Sequence, residues 1–261
     1  MLDMRENRIK QLIKEGKPVV GSALSCPDPF IAEIMGTIGF DFIVIDMEHS
    51  PLSMPELQTM MIALRPTEST IIVRVEWNDM VKVKQILDIG AEGIIFPWIN
   101  NAEEAQQAVA TTKYPPVGTR GFGPRRAGII HGGVPEYAKQ ANDNILVLGQ
   151  IEQVEAVDRL DEILPIPGFD GVMVGPADLT LSMGHLPGTV PEETDAMIGR
   201  VLDKCKEHGV AFGMFTGTFD VAEKWIERGG QIATVGADAL FVLNGAIEAK
   251  ENIDGLLANK R

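Results

Sequence analysis

The chain has 261 residues, 45% hydrophobic and 23% charged, with a formal net charge of −14. That composition supplies a sizeable buried core and excludes a disordered chain, and the acidic balance excludes a nucleic-acid surface, which needs a basic stripe. No apolar run approaches the ~20 residues that span a bilayer, and the amino terminus MLDMRENRIKQLIKEGK lacks the apolar core of a signal peptide, so no membrane partner is expected and the chain reads as cytoplasmic.

In chain order, short β-branched or apolar runs at 19–25, 42–47, 71–75, 93–97, 145–151, 171–174, 211–215 and 239–242 read as strands. Longer amphipathic stretches at 55–64, 80–89, 102–112, 154–164, 192–208, 220–228 and 246–257 read as helices. Alternation of this kind predicts parallel βαβ units. The junctions GFDF, GAEGI, GFDGV and GADAL place Gly where a helix ends before the next strand. Eight repeats in a chain close to the ~250 residues of an α/β barrel predict a single (β/α)8 TIM-barrel domain over residues 1–261. The open-sheet alternative lacks its GxGxxG after the first strand. The long stretch 114–144 reads as an active-site loop, and Cys26 and Cys205, far apart, read as packing residues.

Active sites of such barrels lie at the carboxyl ends of the strands, where polar residues interrupt apolar runs. The second strand ends Asp46-Met47-Glu48-His49-Ser50-Pro51, a density of ionisable groups that packing does not explain. Its plainer reading is a solvated turn with Glu48 as an ion-pair partner. Arg74, inside Ile71-Ile72-Val73-Arg74-Val75, needs a partner if buried, and is either an anion or oxyanion clamp or half of a barrel-mouth salt bridge. Gln150 and Glu152 share a face by the period of two, and Asp178 follows the next strand. Glu152 and Asp178 either converge on a metal or merely cap helices; oxygen-only ligation suits Mg²⁺ or Mn²⁺, with Co²⁺ a further candidate. His208 fits a helix carboxyl end, while His131 and His185, in Gly-containing loops, are open to substrate contact but not expected to bind metal. No lysine falls on an expected strand, so carbanion chemistry here would need a metal rather than a Schiff base as electron sink.

Taken together and in order, FDFIVIDMEHSP, VRVEWND, LDIGAEGIIFP, YPPVGTRGFGPRRA, QIE and GFDGVMVGPADL resemble the HpcH/HpaI aldolase family, the metal-dependent class II pyruvate aldolases. The resemblance implies reversible cleavage of a 4-hydroxy-2-oxo acid into pyruvate, or a close 2-oxo acid, and an aldehyde. It implies metal ligands at Glu152 and Asp178, a catalytic base at His49, an enolate-stabilising Arg74, and an Asp88 that pairs with His49. From the residues alone, Asp88 reads as a solvent-facing helix end. The resemblance also places Gln150, Gly175, Pro176 and Ala177 beside the substrate and Asp46 behind the metal. It further implies a homo-oligomer, trimer or hexamer, in which the last helix packs on a neighbouring subunit. Arg120, with Arg125 and Arg126, either receives a distal carboxylate or lies in a solvated loop. Departures at Gly21–Ser25 and Phe215–Thr218, positions that tend to line the aldehyde side, point to a different pocket. A CoA-ester lyase of the malyl-CoA or citryl type, and a non-catalytic sugar-acid binding protein, are the competing readings.

Overall fold

The computed structural model describes residues 6–186 and 191–258. Strands β1 (Val19–Leu24), β2 (Phe42–Asp46), β3 (Thr70–Arg74), β4 (Gly93–Phe96), β5 (Leu146–Ile151), β6 (Gly171–Val174), β7 (Ala211–Thr216) and β8 (Ile232–Ala237) close in sequence order into a parallel barrel. Helix α1 (Arg8–Lys14) precedes it; α2 (Pro29–Thr37), α3 (Met54–Leu64) and α4 (Met80–Asp88) follow the first three strands. Between β4 and β5 lie α5 (Ala102–Thr112), α6 (Arg125–Ile130) and α7 (Val134–Asn144). Next come α8 (Val154–Asp158) and α9 (Leu160–Ile163), then α10 (Pro176–Ser182) and α11 (Glu192–His208), then α12 (Phe219–Glu227), and α13 (Asp238–Ala258) ends the described chain. The fold is a (β/α)8 TIM barrel.

Alternation along the strands builds two cores. Val19, Phe42, Val44, Ile72, Ile95, Leu146, Leu148, Met173, Ala211 and Ile232 form one buried cluster, and their alternates Ile43, Ile45, Ile71, Val73, Ile94, Val147, Val172 and Phe212 join the larger cluster beneath the helices. The first set fills the barrel interior. Ile9 of α1 joins it, so this helix plugs the amino-terminal end, worth roughly 2–3 kcal/mol for that side chain. Asn7 fixes the plug: its carboxamide oxygen caps α1 through Ile9 N and its Nδ2 donates to Glu92 O at 2.8 Å. Interior space is tight enough that a Cβ at Gly213 would come within 2.4 Å of Met173 Sδ.

Two expectations fail here. The eighth strand is not 239–242 but Ile232–Ala237; the segment Ala239–Val242 lies in α13, and GADAL is a strand-to-helix junction. A short apolar run does not by itself distinguish a buried strand from a helix, and the β-branched ITV set behind Gly229-Gly230 is the true strand. The stretch 114–144 is not a carboxyl-end loop. It follows the end of α5, carries α6 and α7, and covers the amino-terminal side, where Lys113 Nζ donates to Ile145 O at 3.2 Å and Arg126 to Ile89 O.

Candidate active site

The same period of two that aims Val44, Ile72 and Leu148 into the barrel aims Asp46, Arg74 and Gln150 there, one step nearer the carboxyl end. Polar residues thus form a ring above an apolar floor. Asp46 and Arg74 are register partners, and they pair through two hydrogen bonds, Arg74 Nε to Asp46 Oδ1 at 2.9 Å and Nη2 to Oδ2 at 2.7 Å. Arg74 therefore has its partner. Its guanidinium lies 4.9 Å from the centre of the Phe215 ring, and Nη1 reaches Gln150 Oε1 at 3.5 Å. Burial would depress the Arg74 pKa, but the hydrogen bond to Asp46 and the charges of Asp46, Glu48 and Glu152 raise it instead, so the side chain is a permanent cation.

Asp46 also organises the turn that follows. Its Oδ1 accepts from Glu48 N at 3.0 Å and His49 N at 3.3 Å. This turn folds the Glu48 carboxylate back under the rim, 3.2 Å from Arg74 Nη1 and 3.7 Å from His49 Nε2, and leaves the His49 side chain 61% exposed. Burial pushes the Glu48 carboxyl up to about 7; Arg74 opposes the shift, and Glu152, Asp46 and Asp178 add to it.

Glu152 is buried just past β5. Its Oε1 accepts from Trp98 N at 2.8 Å and its Oε2 from Gln150 Nε2. Trp98 adopts a left-handed backbone, φ 55°, at the end of β4, a conformation costing about 1–2 kcal/mol that turns its N–H toward this carboxylate. Desolvation raises the Glu152 pKa; the Trp98 and Gln150 hydrogen bonds oppose the shift, and the charge of Asp178 adds to it. Asp178 is half-buried in the first turn of α10, after Gly175, Pro176 and Ala177. A Cβ on Gly175 would stand 3.1 Å from Glu152 Oε2, so glycine leaves open the space between β5 and β6. Among the described residues no set of three His, Cys, Asp or Glu is placed to hold a metal.

Two expected residues lie elsewhere. Helix α4 runs back along the barrel, so Asp88, its last residue, ends at the amino-terminal side and pairs with Arg120 Nη2 at 2.8 Å. Within one chain the carboxylate beside His49 is Glu48, not Asp88. Arg120 is not at the rim either. It is 1% exposed, donates to Tyr137 Oη at 3.1 Å and lies 4.5 Å over the Tyr114 ring. The spacing of the motif says nothing about which end of a helix faces the site. Trp98, as a backbone donor, carried no sequence signal, and Phe215 stood out only as a departure on the aldehyde side, not as a cation–π partner of Arg74.

The chain matches the family model of HpcH/HpaI aldolase/citrate lyase over residues 24–245. It is 39% identical to a 4-hydroxy-2-oxo-heptane-1,7-dioate aldolase of Klebsiella pneumoniae over 241 residues, 92% of this chain and 91% of that protein. Its fold superposes with a TM-score of 0.90 on an HpcH/HpaI aldolase/citrate lyase family protein of Burkholderia cenocepacia J2315, at 33% identity, covering 95% of this chain and 99% of that one. An HpcH/HpaI aldolase of Desulfitobacterium hafniense DCB-2 gives 0.87 at 30% identity, covering 94% and 95%.

Proposed function

The chain belongs to the HpcH/HpaI aldolase/citrate lyase family and is a carbon–carbon lyase of the aldolase type, and on that premise we propose that it reversibly cleaves 4-hydroxy-2-oxo acids to pyruvate, or a close 2-oxo acid, and an aldehyde, with a divalent metal ion. One observation carries the metal reading: the charges of Asp46, Glu152 and Asp178 all act on Glu48 and that of Asp178 on Glu152, with the Arg74 guanidinium set against them. Such crowding is costly without a further cation. The donors are hard oxygens, Asp178 and burial both disfavour an ionised Glu152, and Gly175 leaves room beside it, which fits Mg²⁺ or Mn²⁺. Glu152 and Asp178 would hold the ion, which when bound supplies Lewis-acid support to the 2-oxo acid.

The side chains supply the rest. Gln150 and the backbone of Gly175, Pro176 and Ala177 orient the pyruvoyl half, Gln150 being held in turn by its bond to Glu152. His49, exposed at the rim, takes the 4-hydroxyl proton. The C3–C4 bond then breaks, its electron pair entering the 2-oxo system as the aldehyde leaves. Arg74 faces the oxygen on which charge gathers, held in place by Asp46. A proton returned to C3 gives pyruvate, and the reverse order gives aldol addition.

The domain extends over residues 1–261 and works as a homo-oligomer, with α13 lying on a second copy. Beyond Asp238 every residue of this 21-residue helix is exposed, including Leu240, Phe241, Leu243 and Ile247, an apolar surface that water alone does not favour. Sedimentation of the whole protein at micromolar concentration should show an assembly, and a monomer would overturn this part.

Pyruvate release from 4-hydroxy-2-oxo acids, coupled to lactate dehydrogenase, tests the function. Release should need Mg²⁺ or Mn²⁺, stop with EDTA and be lost in Glu152→Ala. Metal-indifferent release, or full activity in that variant, would overturn the reading.

A further inference from the structure

Asp46 already holds Arg74 through two hydrogen bonds and closes the turn that follows β2 through two more. A second carboxylate is therefore not needed to fix the guanidinium. Glu48 is nevertheless folded under the rim with its side chain only 9% exposed, its Oε2 3.2 Å from Arg74 Nη1 and 3.7 Å from His49 Nε2. That oxygen is buried and accepts no hydrogen bond. A carboxylate in this position costs stability, and a group of this kind is retained where it orients the residues that do the chemistry.

We propose that Glu48 is a positioning residue for the aldol reaction, bridging Arg74 and His49 so that the base and the cation keep a fixed relation across the substrate. The proposal rests on the aldol-cleavage reading above, in which His49 takes the hydroxyl proton and Arg74 meets the charge on oxygen. Glu48 acts through both and need not touch the substrate. The sequence order Asp46-Met47-Glu48-His49 makes this geometry possible: Asp46 points into the barrel, the turn it caps reverses the chain, and Glu48 comes back beside the neighbouring strand's arginine while His49 stays outside.

The test uses the metal-loaded full chain with Glu48→Gln and Glu48→Asp, and two reactions that share an enolate. Aldol cleavage needs removal of a hydroxyl proton; decarboxylation of oxaloacetate yields pyruvate enolate and CO₂ with no hydroxyl proton to remove, so it depends on Arg74 without His49. In Glu48→Gln, kcat for cleavage should fall about 10–100-fold with KM unchanged, the loss typical of removing a group that supports a catalytic residue. In Glu48→Asp the carboxylate is one methylene shorter and withdraws from both Arg74 Nη1 and His49 Nε2, so cleavage, which uses both residues, should fall further than decarboxylation, which uses Arg74 alone. Undiminished cleavage in Glu48→Gln would overturn the proposal, as would a raised KM with unchanged kcat, which would put Glu48 on the substrate. Equal losses in both reactions for Glu48→Asp would reduce Glu48 to a support for Arg74 alone and overturn the bridge. If Glu48→Gln fails to fold, judged by its thermal midpoint, Glu48→Asp carries the test. A wild-type enzyme without metal-dependent cleavage overturns the functional reading itself and the proposal with it, an outcome distinct from a working enzyme with indifferent variants.

Discussion

The two ends of the barrel treat their charged side chains in opposite ways. At the amino-terminal end, cations and anions are matched: Lys10 with Asp170 at 2.9 Å, Arg120 with Asp88 at 2.8 Å, and the buried Lys113 against the carbonyls of Asn142 and Ile145. At the carboxyl-terminal end Asp46, Glu48 and Glu152 share Arg74, Asp178 adds its charge to Glu48 and Glu152, and one oxygen of Glu48 accepts no hydrogen bond. The first arrangement stabilises a fold. The second holds unbalanced charge in place, which fits the proposed binding of a cation and an oxyanion.

The comparison is broken most severely by exchanging the effects. Breaking the matched end should cost stability: Arg120→Met strands Asp88 and empties the space between Tyr114 and Tyr137, an expected loss of about 3–5 kcal/mol read from urea unfolding. Breaking the unmatched end should cost chemistry: Arg74→Ala is expected to lower kcat for pyruvate release about 10²–10³-fold, and an unaffected rate would remove Arg74 from the mechanism.

The pH dependence sharpens the contrast. Glu48 binds its proton more tightly in the fold, with a pKa raised by burial from 4.5 to about 7, so between those values the folded state holds a proton that the unfolded chain has lost. Stability of the metal-free protein should therefore fall as pH rises through that window, and Glu48→Gln should flatten the fall. Thermal midpoints at pH 5 and pH 8 check this, and a metal-free wild type that gains stability over the same range would contradict it. The smallest effect belongs to the plug. Asn7→Ala removes the α1 cap and the bond to Glu92 O, about 1 kcal/mol or a little more by denaturant titration, with no direct effect on the rim.

Much of the site was legible in the chain because strand periodicity is local. Asp46, Arg74 and Gln150 each follow an inward apolar residue by two, so a period of two sends them inward together, and the same period puts Glu152 on that face just past the end of β5. The adjacency of Asp46, Glu48 and His49 is likewise a property of one turn. Helix boundaries such as Ala102–Thr112 and Glu192–His208 followed from amphipathic spacing and, for the second, from Gly209 at φ 66° closing the helix.

What the sequence by itself determined is the list of chemical groups and the repeating βα unit that carries them. Tertiary structure decided which groups meet. Asp88 and Arg120 stand in two of the motifs that carry the family resemblance, yet α4 and the chain after α5 carry them to the end opposite the rim, because a helix returning along a strand exchanges one end of the barrel for the other within a dozen residues. It also decided that Ile232–Ala237 closes the barrel while Ala239–Val242 continues into α13, since a short apolar run takes its conformation from the partner that buries it.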